Sequence, residues 1–272
     1  MQRLLTAAVL VPIALAAIFK LPGWAFFLLV AALLEWAAVE YAALGRCRSP
    51  RAPWSALLVL TPPVAAALAW GLTPGHAVDG YHALGLVAAV ALPVGVAVLF
   101  SGMPIEETHF AAGAIGYGIA YFAVPIASLY RLQQHDPWVL FLLLAIVWLG
   151  DTAAYYVGTA WGRHKLARVV SPKKSWEGAA AGLVTSIAAT AVWSLWRRQE
   201  LDWVLVGIGA ATALASQVGD LVESLWKRGV GVKDSGGVLP GHGGILDRMD
   251  AMLYAAPVLL LLLWASGYEA VR

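Results

Sequence analysis

The sequence predicts an all-α fold, a polytopic integral membrane helical bundle with about nine transmembrane helices. Three observations predict it. Of 272 residues, 61% are hydrophobic and only 12% are charged, about half the usual charged share. The mean hydropathy is +0.75. The apolar stretches run unbroken for about 16 to 24 residues, near the ~20 a helix needs to cross ~30 Å of hydrocarbon. Membrane barrel strands would alternate polar and apolar residues, and no segment does so. This composition also excludes an ordinary soluble domain.

The candidate spans are roughly 4–19, 24–45, 54–72, 83–101, 111–130, 138–160, 178–196, 203–226 and 251–268. The first, LLTAAVLVPIALAAIF after Arg3, has the length and flank of a signal peptide, but the many later spans favour a retained helix. The connections are short apart from two basic loops, 161–177 and 227–250, so 1–272 reads as one membrane domain. Within it, 1–132 supplies N-terminal helices for packing or dimerisation, and 138–256 forms the catalytic region. The single cysteine, Cys47, allows neither an intramolecular disulfide nor a multi-cysteine metal site.

Orientation follows from the cations. In a nine-span topology, thirteen Lys and Arg residues fall on the side of the N-terminus and both basic loops, and five fall on the other. The positive-inside rule places the thirteen in the cytoplasm. A water-soluble cytosolic reactant can then reach both loops.

An ionisable group within an apolar span costs from ~2.5 kcal/mol upward on insertion scales and is a site hypothesis by default. Glu35 and Glu40 in the second span, five residues apart, do not share a tight helical face and read as structural, with Glu40 close enough to Arg46 to pair with it. Asp151 and Tyr155 share a face one turn apart near the end of the sixth span. In the eighth, ASQVGDLVESLWKR, Asp220, Glu223, Ser224 and Lys227 fall on one stripe, which should face a polar cavity or the bundle interior.

The stretch SLWKRGVGVKDSGGVLPGHGGILDRMD at 224–250 gathers four cations, three aspartates and seven glycines between two apolar spans. Glycines let backbone amides approach an anion. Lys227, Arg228, Lys233 and Arg248 can neutralise phosphate charge. Asp247 and Asp250, one helical turn apart, suit magnesium, a hard cation that takes a few carboxylates with phosphate oxygens and water; Asp220 would make a third. His242 stands alone between glycines, as fitted to a conformational or phosphate-donor role as to proton transfer. Neither a P-loop nor a dinucleotide fingerprint is present. The other loop, WGRHKLARVVSPKKSWEG, reads both as an interfacial polybasic segment and as a second phosphate clamp.

The 224–250 stretch resembles the signature of the phosphatidate cytidylyltransferases, the CDP-diacylglycerol synthases. Ser224, Lys227, Arg228, Lys233, Asp234, His242, Gly243, Gly244, Asp247, Arg248 and Asp250 stand where that pattern wants them, with Trp226 as one departure. The upstream DTAAYYVGTAWGRHKL and SPKKSWEG are also similar, with Asp151, Ser171, Pro172, Lys174, Trp176 and Gly178 in place. The resemblance is strong over about 145–256 and weak over the first 130 residues.

It implies transfer of a cytidylyl group from CTP to phosphatidate, with magnesium as cofactor and a second cation left open. The enzyme is expected to be a homodimer in the bacterial cytoplasmic (inner) membrane, among membrane lipids and with no nucleic acid partner. The implied catalytic group is Lys227, Arg228, Lys233, Asp234, His242 and Arg248; Asp151, Ser171, Lys174 and Ser224 bind substrate, and Asp220, Asp247 and Asp250 hold metal. Two alternatives stay open: a CTP-dependent lipid kinase and an ion or phosphate transporter.

Overall fold

The computed structural model describes residues 2–71, 80–238 and 243–268, with the backbone alone for 2–10 and 80–83. Within these the chain forms nine α-helices: α1 (Gln2–Lys20), α2 (Gly23–Arg48), α3 (Ser55–Gly71), α4 (Gly80–Leu99), α5 (Thr108–His135), α6 (Pro137–Trp161), α7 (Trp176–Arg198), α8 (Trp203–Gly229) and α9 (Leu246–Ala265). Each expected span therefore has a helix. Among the described side chains, six of them, α2 and α5 to α9, are long and apolar enough to cross a membrane, and the apolar stretches described for α1, α3 and α4 are Val11–Lys20, Ser55–Gly71 and Leu84–Leu99. The protein is an all-α polytopic membrane protein. Large apolar side chains lie exposed along the helices, among them Val59, Leu92, Val184 and Leu261, as a surface solvated by lipid requires. One element departs from the all-helical expectation. Within 161–177 the strands β1 (Lys165–Ala167) and β2 (Ser171–Ser175) pair antiparallel, Lys165 opposite Ser175 and Ala167 opposite Ser171.

The chain divides into two compact units that interleave in sequence. One holds Pro22–Arg131 and Val230–Met249, and the other Leu4–Leu21, Leu132–Gly229 and Asp250–Arg272. In the first unit α2 packs on α3 and α3 on α4. The Tyr41 hydroxyl on α2 donates to the Ala114 carbonyl of α5 at 3.0 Å, and its ring meets those of Trp54 and Phe122 edge-on. Trp54 is seated because Gly45 leaves room for its ring, while its indole N–H donates to the Ser49 carbonyl at 3.0 Å.

In the second unit α6 packs on α7 and α8, and α7 packs on α8. The reason is legible on α7, where Gly178, Gly182, Ser186, Thr190 and Ser194 recur every fourth residue and are all buried. Small residues on one stripe let helix backbones approach closely in a membrane, where dispersion and hydrogen bonds replace the hydrophobic drive. A Cβ on Gly178 would lie 2.7 Å from the Ala154 carbonyl oxygen, and one on Gly182 would lie 2.8 Å from that of Gly150. Ser186 Oγ donates across the seam to the Ile146 carbonyl at 2.8 Å, and Gln217 Nε2 on α8 donates to the Ala179 carbonyl at 3.0 Å.

Capping sets where these helices start. Asp136 accepts from the Trp138 N–H at 2.9 Å, with Pro137 opening α6. Ser175 accepts from the Gly178 N–H at 3.1 Å to open α7. Asp202 accepts from the N–H groups of Val204 and Leu205 to open α8, and pairs with Arg198.

The seam predicts a contrast between two glycines. Gly182→Val drives its Cβ into the Gly150 carbonyl and should destabilise the second unit by about 1–3 kcal/mol. Gly207→Ala on α8, where nothing lies within 4 Å, should be neutral or stabilising by up to about 1 kcal/mol. Unfolding midpoints of the detergent-solubilised protein check both.

Candidate functional site

In the second unit the polar stripe foreseen on α8 exists, and its neighbours define its chemistry. Lys174 of β2 reaches Asp220 on α8, Nζ to Oδ2 at 2.5 Å. Ser224, one turn on, directs its hydroxyl to Asp220 Oδ1 at 3.4 Å. A further turn along, the Lys227 ammonium lies 2.6 Å from a carboxylate oxygen of Glu223; Lys227 is buried and Glu223 wholly so. Asp151 on α6 lies within electrostatic range of both Asp220 and Lys174. Asp250 on α9 lies within range of Asp220, Glu223 and Asp151, and its Oδ1 takes the Ala251 N–H at 2.7 Å. Arg228, exposed at the end of α8, donates from Nε to the Val170 carbonyl in the hairpin turn at 3.2 Å, which ties the basic loop 161–177 to α8. Ser171 opens β2, half-buried.

Four carboxylates thus share one neighbourhood with the two lysines paired to them. Their oxygen donors and excess negative charge suit a hard divalent cation. Among the described residues, however, no three His, Cys, Asp or Glu side chains converge at metal-binding spacing. The neighbouring cations, Lys174 and Arg228 with Lys173 beside them, suit a phosphate-bearing reactant.

The hairpin feeding this cluster is fixed at its base. Glu177, in the first turn of α7, accepts from the His164 backbone N–H at 3.2 Å and lies 2.6 Å from His164 Nδ1. The Trp176 N–H donates to the His164 carbonyl at 2.9 Å.

The glycine-rich loop lies in the first unit up to Met249. Lys233 and Asp234 are exposed, as is Arg248 in the first turn of α9; His242 lies outside the described residues. Asp247, expected at a metal, has one oxygen engaged in the loop itself. Its Oδ2 accepts from the Ser235 N–H at 2.9 Å and from the Gly244 N–H at 2.7 Å. Glu40 of α2 enters the same loop. Its Oε2 accepts from the Ser235 hydroxyl and from the Leu246 N–H, both at 2.9 Å, and its Oε1 accepts from the Ile245 N–H at 3.1 Å.

Two expectations change. Glu40 is directed to the loop and the start of α9 rather than to Arg46, because an N-terminal helix turn offers unsatisfied N–H donors that a buried carboxylate can accept. The glycines also divide by task. A Cβ on Gly236 would lie 2.7 Å from Glu40 Oε1, and one on Gly244 would overlap Glu40 Oε2 and Ser235 Oγ, so the anion these two approach is the protein's own carboxylate. Gly231 and Gly243 have φ of 78° and 77°, which only glycine adopts at little cost. Sequence reasoning missed Ser235; it read Glu40 as structural and placed Glu223 on the polar stripe, but gave neither a part in the site. The signal for both was an acid within an apolar segment, joined for Glu223 by its place on the α8 stripe.

The glycine roles can be separated experimentally. Gly244→Ala should destabilise the loop by about 1–3 kcal/mol, whereas Gly237→Ala, with nothing within 4 Å, should stay within about 0.5 kcal/mol of the parent. Unfolding midpoints in detergent distinguish them.

Comparison with known proteins extends beyond these motifs. The sequence profile described as "Cytidylyltransferase family" matches residues 1–266. The phosphatidate cytidylyltransferase of Pseudomonas aeruginosa is 37% identical over 286 aligned residues, spanning 99% of this chain and 98% of the relative. That of Staphylococcus aureus is 40% identical over 199 residues, covering 72% of this chain and 75% of its own. The match runs through the N-terminal helices as well as the basic loops, and the chain belongs to the cytidylyltransferase family.

Proposed function

We propose that the protein is a phosphatidate cytidylyltransferase, joining CTP and phosphatidate into CDP-diacylglycerol and releasing pyrophosphate. The observation that carries this is the carboxylate and lysine cluster around Asp220, bounded by the cationic hairpin, in a chain whose relatives along nearly its full length bear that name.

The reaction needs little covalent help from the protein. A phosphatidate phosphate oxygen attacks the α-phosphorus of CTP. The new P–O bond forms as the bond from that phosphorus to the β-phosphate oxygen breaks, and pyrophosphate leaves with the electron pair. The nucleophile is already anionic, so the main barrier is bringing two anions together, and catalysis becomes positioning and charge neutralisation. Lys174, Arg228, Lys233 and Arg248 are suited to bind phosphate oxygens, with Ser171 and Ser224 as hydroxyl contacts and Asp151 orienting from α6. Asp234 and His242 belong to the same proposed group through the signature. Lys227, buried against Glu223, acts through that pair and places a cation at the end of α8.

Asp220, Asp247 and Asp250 are the carboxylates proposed to hold magnesium, with a second cation left open; the ion would supply charge neutralisation on the CTP phosphates.

The proposed placement is a homodimer in the bacterial cytoplasmic membrane. Nine crossings, including α1, α3 and α4, would put the N-terminus and both basic loops on the cytoplasmic face. The thirteen-to-five cation asymmetry supports this orientation.

Purified protein in detergent, given labelled CTP, phosphatidate and magnesium, should release pyrophosphate and form CDP-diacylglycerol. Asp220→Asn and Asp250→Asn should each lower turnover by about 100-fold or more, in line with the loss of a transition-state charge partner. Folded, CTP-binding protein that yields CDP and a phosphorylated lipid would instead identify a kinase, and yielding no lipid product would defeat the proposal.

A further inference from the structure

We propose that Glu40 is a positioning residue for the reaction, a buried carboxylate on α2 that sets the geometry of the glycine-rich loop and of the first turn of α9. This rests on the cytidylyltransferase reading above.

Glu40 is 6% exposed and faces donors from both ends of the loop. The Ser235 hydroxyl lies 195 residues away in sequence, and the Ile245 and Leu246 N–H groups lie 205 and 206 away. All three are neutral, and two are backbone groups at the N-terminus of a helix, where the dipole favours negative charge. Gly236 and Gly244 lack side chains where the carboxylate sits, so loop and acid are shaped to each other. The groups fixed by this arrangement are those proposed for substrate and metal. Lys233 and Asp234 immediately precede Ser235, and Asp247 and Arg248 immediately follow Leu246. Asp247 closes the same loop from within through Ser235 and Gly244. A residue of the N-terminal helices thereby sets the register of the signature.

An amide cannot replace the carboxylate here, because a glutamine must turn its single NH₂ group toward either the Ile245 N–H or the Leu246 N–H. Glu40→Gln therefore keeps the volume and loses one of the two acceptor oxygens. Mislaying a reacting group by about 1 Å can cost up to about 100-fold in rate. The experiment measures kcat and KM for CTP and amide hydrogen exchange on the full-length protein in detergent, for Glu40→Gln, Glu40→Asp, Ser235→Ala and the lipid-facing control Val39→Ala.

The expected result for Glu40→Gln is a fall in kcat/KM of about 10–100-fold, carried mainly by kcat. Exchange should rise in peptides over 243–249 and stay unchanged in α6 and α7. Ser235→Ala should move both readouts the same way by less, Glu40→Asp should lie between Glu40→Gln and the parent, and Val39→Ala should match the parent. Parental kcat/KM and exchange in Glu40→Gln overturn the proposal. If Glu40→Gln does not fold, the same parental values in Ser235→Ala overturn it. Activity loss that accompanies raised exchange throughout all helices also overturns it, because the role is then general stability. Wild-type protein that makes no CDP-lipid refutes the functional reading instead, and the exchange data still decide whether Glu40 orders the loop.

Discussion

A carboxylate within an apolar helix cannot be left facing hydrocarbon, and the architecture around the candidate site follows from how these acids are met. Insertion scales price such a group at several kcal/mol unless a donor or cation accompanies it. Glu40 is met by a hydroxyl and two helix-terminal N–H groups, Asp220 by Lys174, and Glu223 by Lys227. Each contact does more than satisfy a carboxylate. The first fixes a loop at both ends, the second fixes a β-hairpin to a helix, and the third keeps the C-terminal turn of α8 loaded with cations despite its burial.

The Lys227–Glu223 pair illustrates why a cation in a signature need not be a free substrate ligand. Taking two opposite charges out of water together recovers part of the desolvation cost, whereas removing one strands the other. A lysine held in this way presents its charge from a fixed point, and its loss would disturb structure and chemistry at once. Lys174 differs in being more accessible, with a side chain 28% exposed, so a phosphate oxygen can compete for it. The two lysines therefore play unlike parts although the motif displays both as equivalent positive residues.

Close packing of α6, α7 and α8 gives this chemistry a stiff support. Backbones approach because the seam is lined by glycine, serine and threonine, and Ser186 and Gln217 add hydrogen bonds across it. In lipid such contacts must do what hydrophobic burial does in water. The dense seam is a suitable foundation for Asp151, Asp220 and the hairpin, whose mutual distances matter to a reaction catalysed by positioning.

The sequence by itself determined the helical membrane class, nine helical segments in register with its apolar runs, the two basic loops and the family, because hydropathy and motif spacing are local properties of the chain. It also showed that Asp220, Glu223, Ser224 and Lys227 share a stripe, since helical periodicity alone places them. Only the tertiary structure decided what met those groups. Glu40 looked like a structural acid near Arg46, and its true partners lie some 200 residues away. Hairpin pairing within 161–177 was hidden among cations and serines that carry no strand alternation. Gly236 and Gly244 could not be told from Gly237, because whether a glycine is needed depends on what occupies the space where its side chain would be. These are long-range contacts, and no periodicity in one segment specifies the atom from another that will face it.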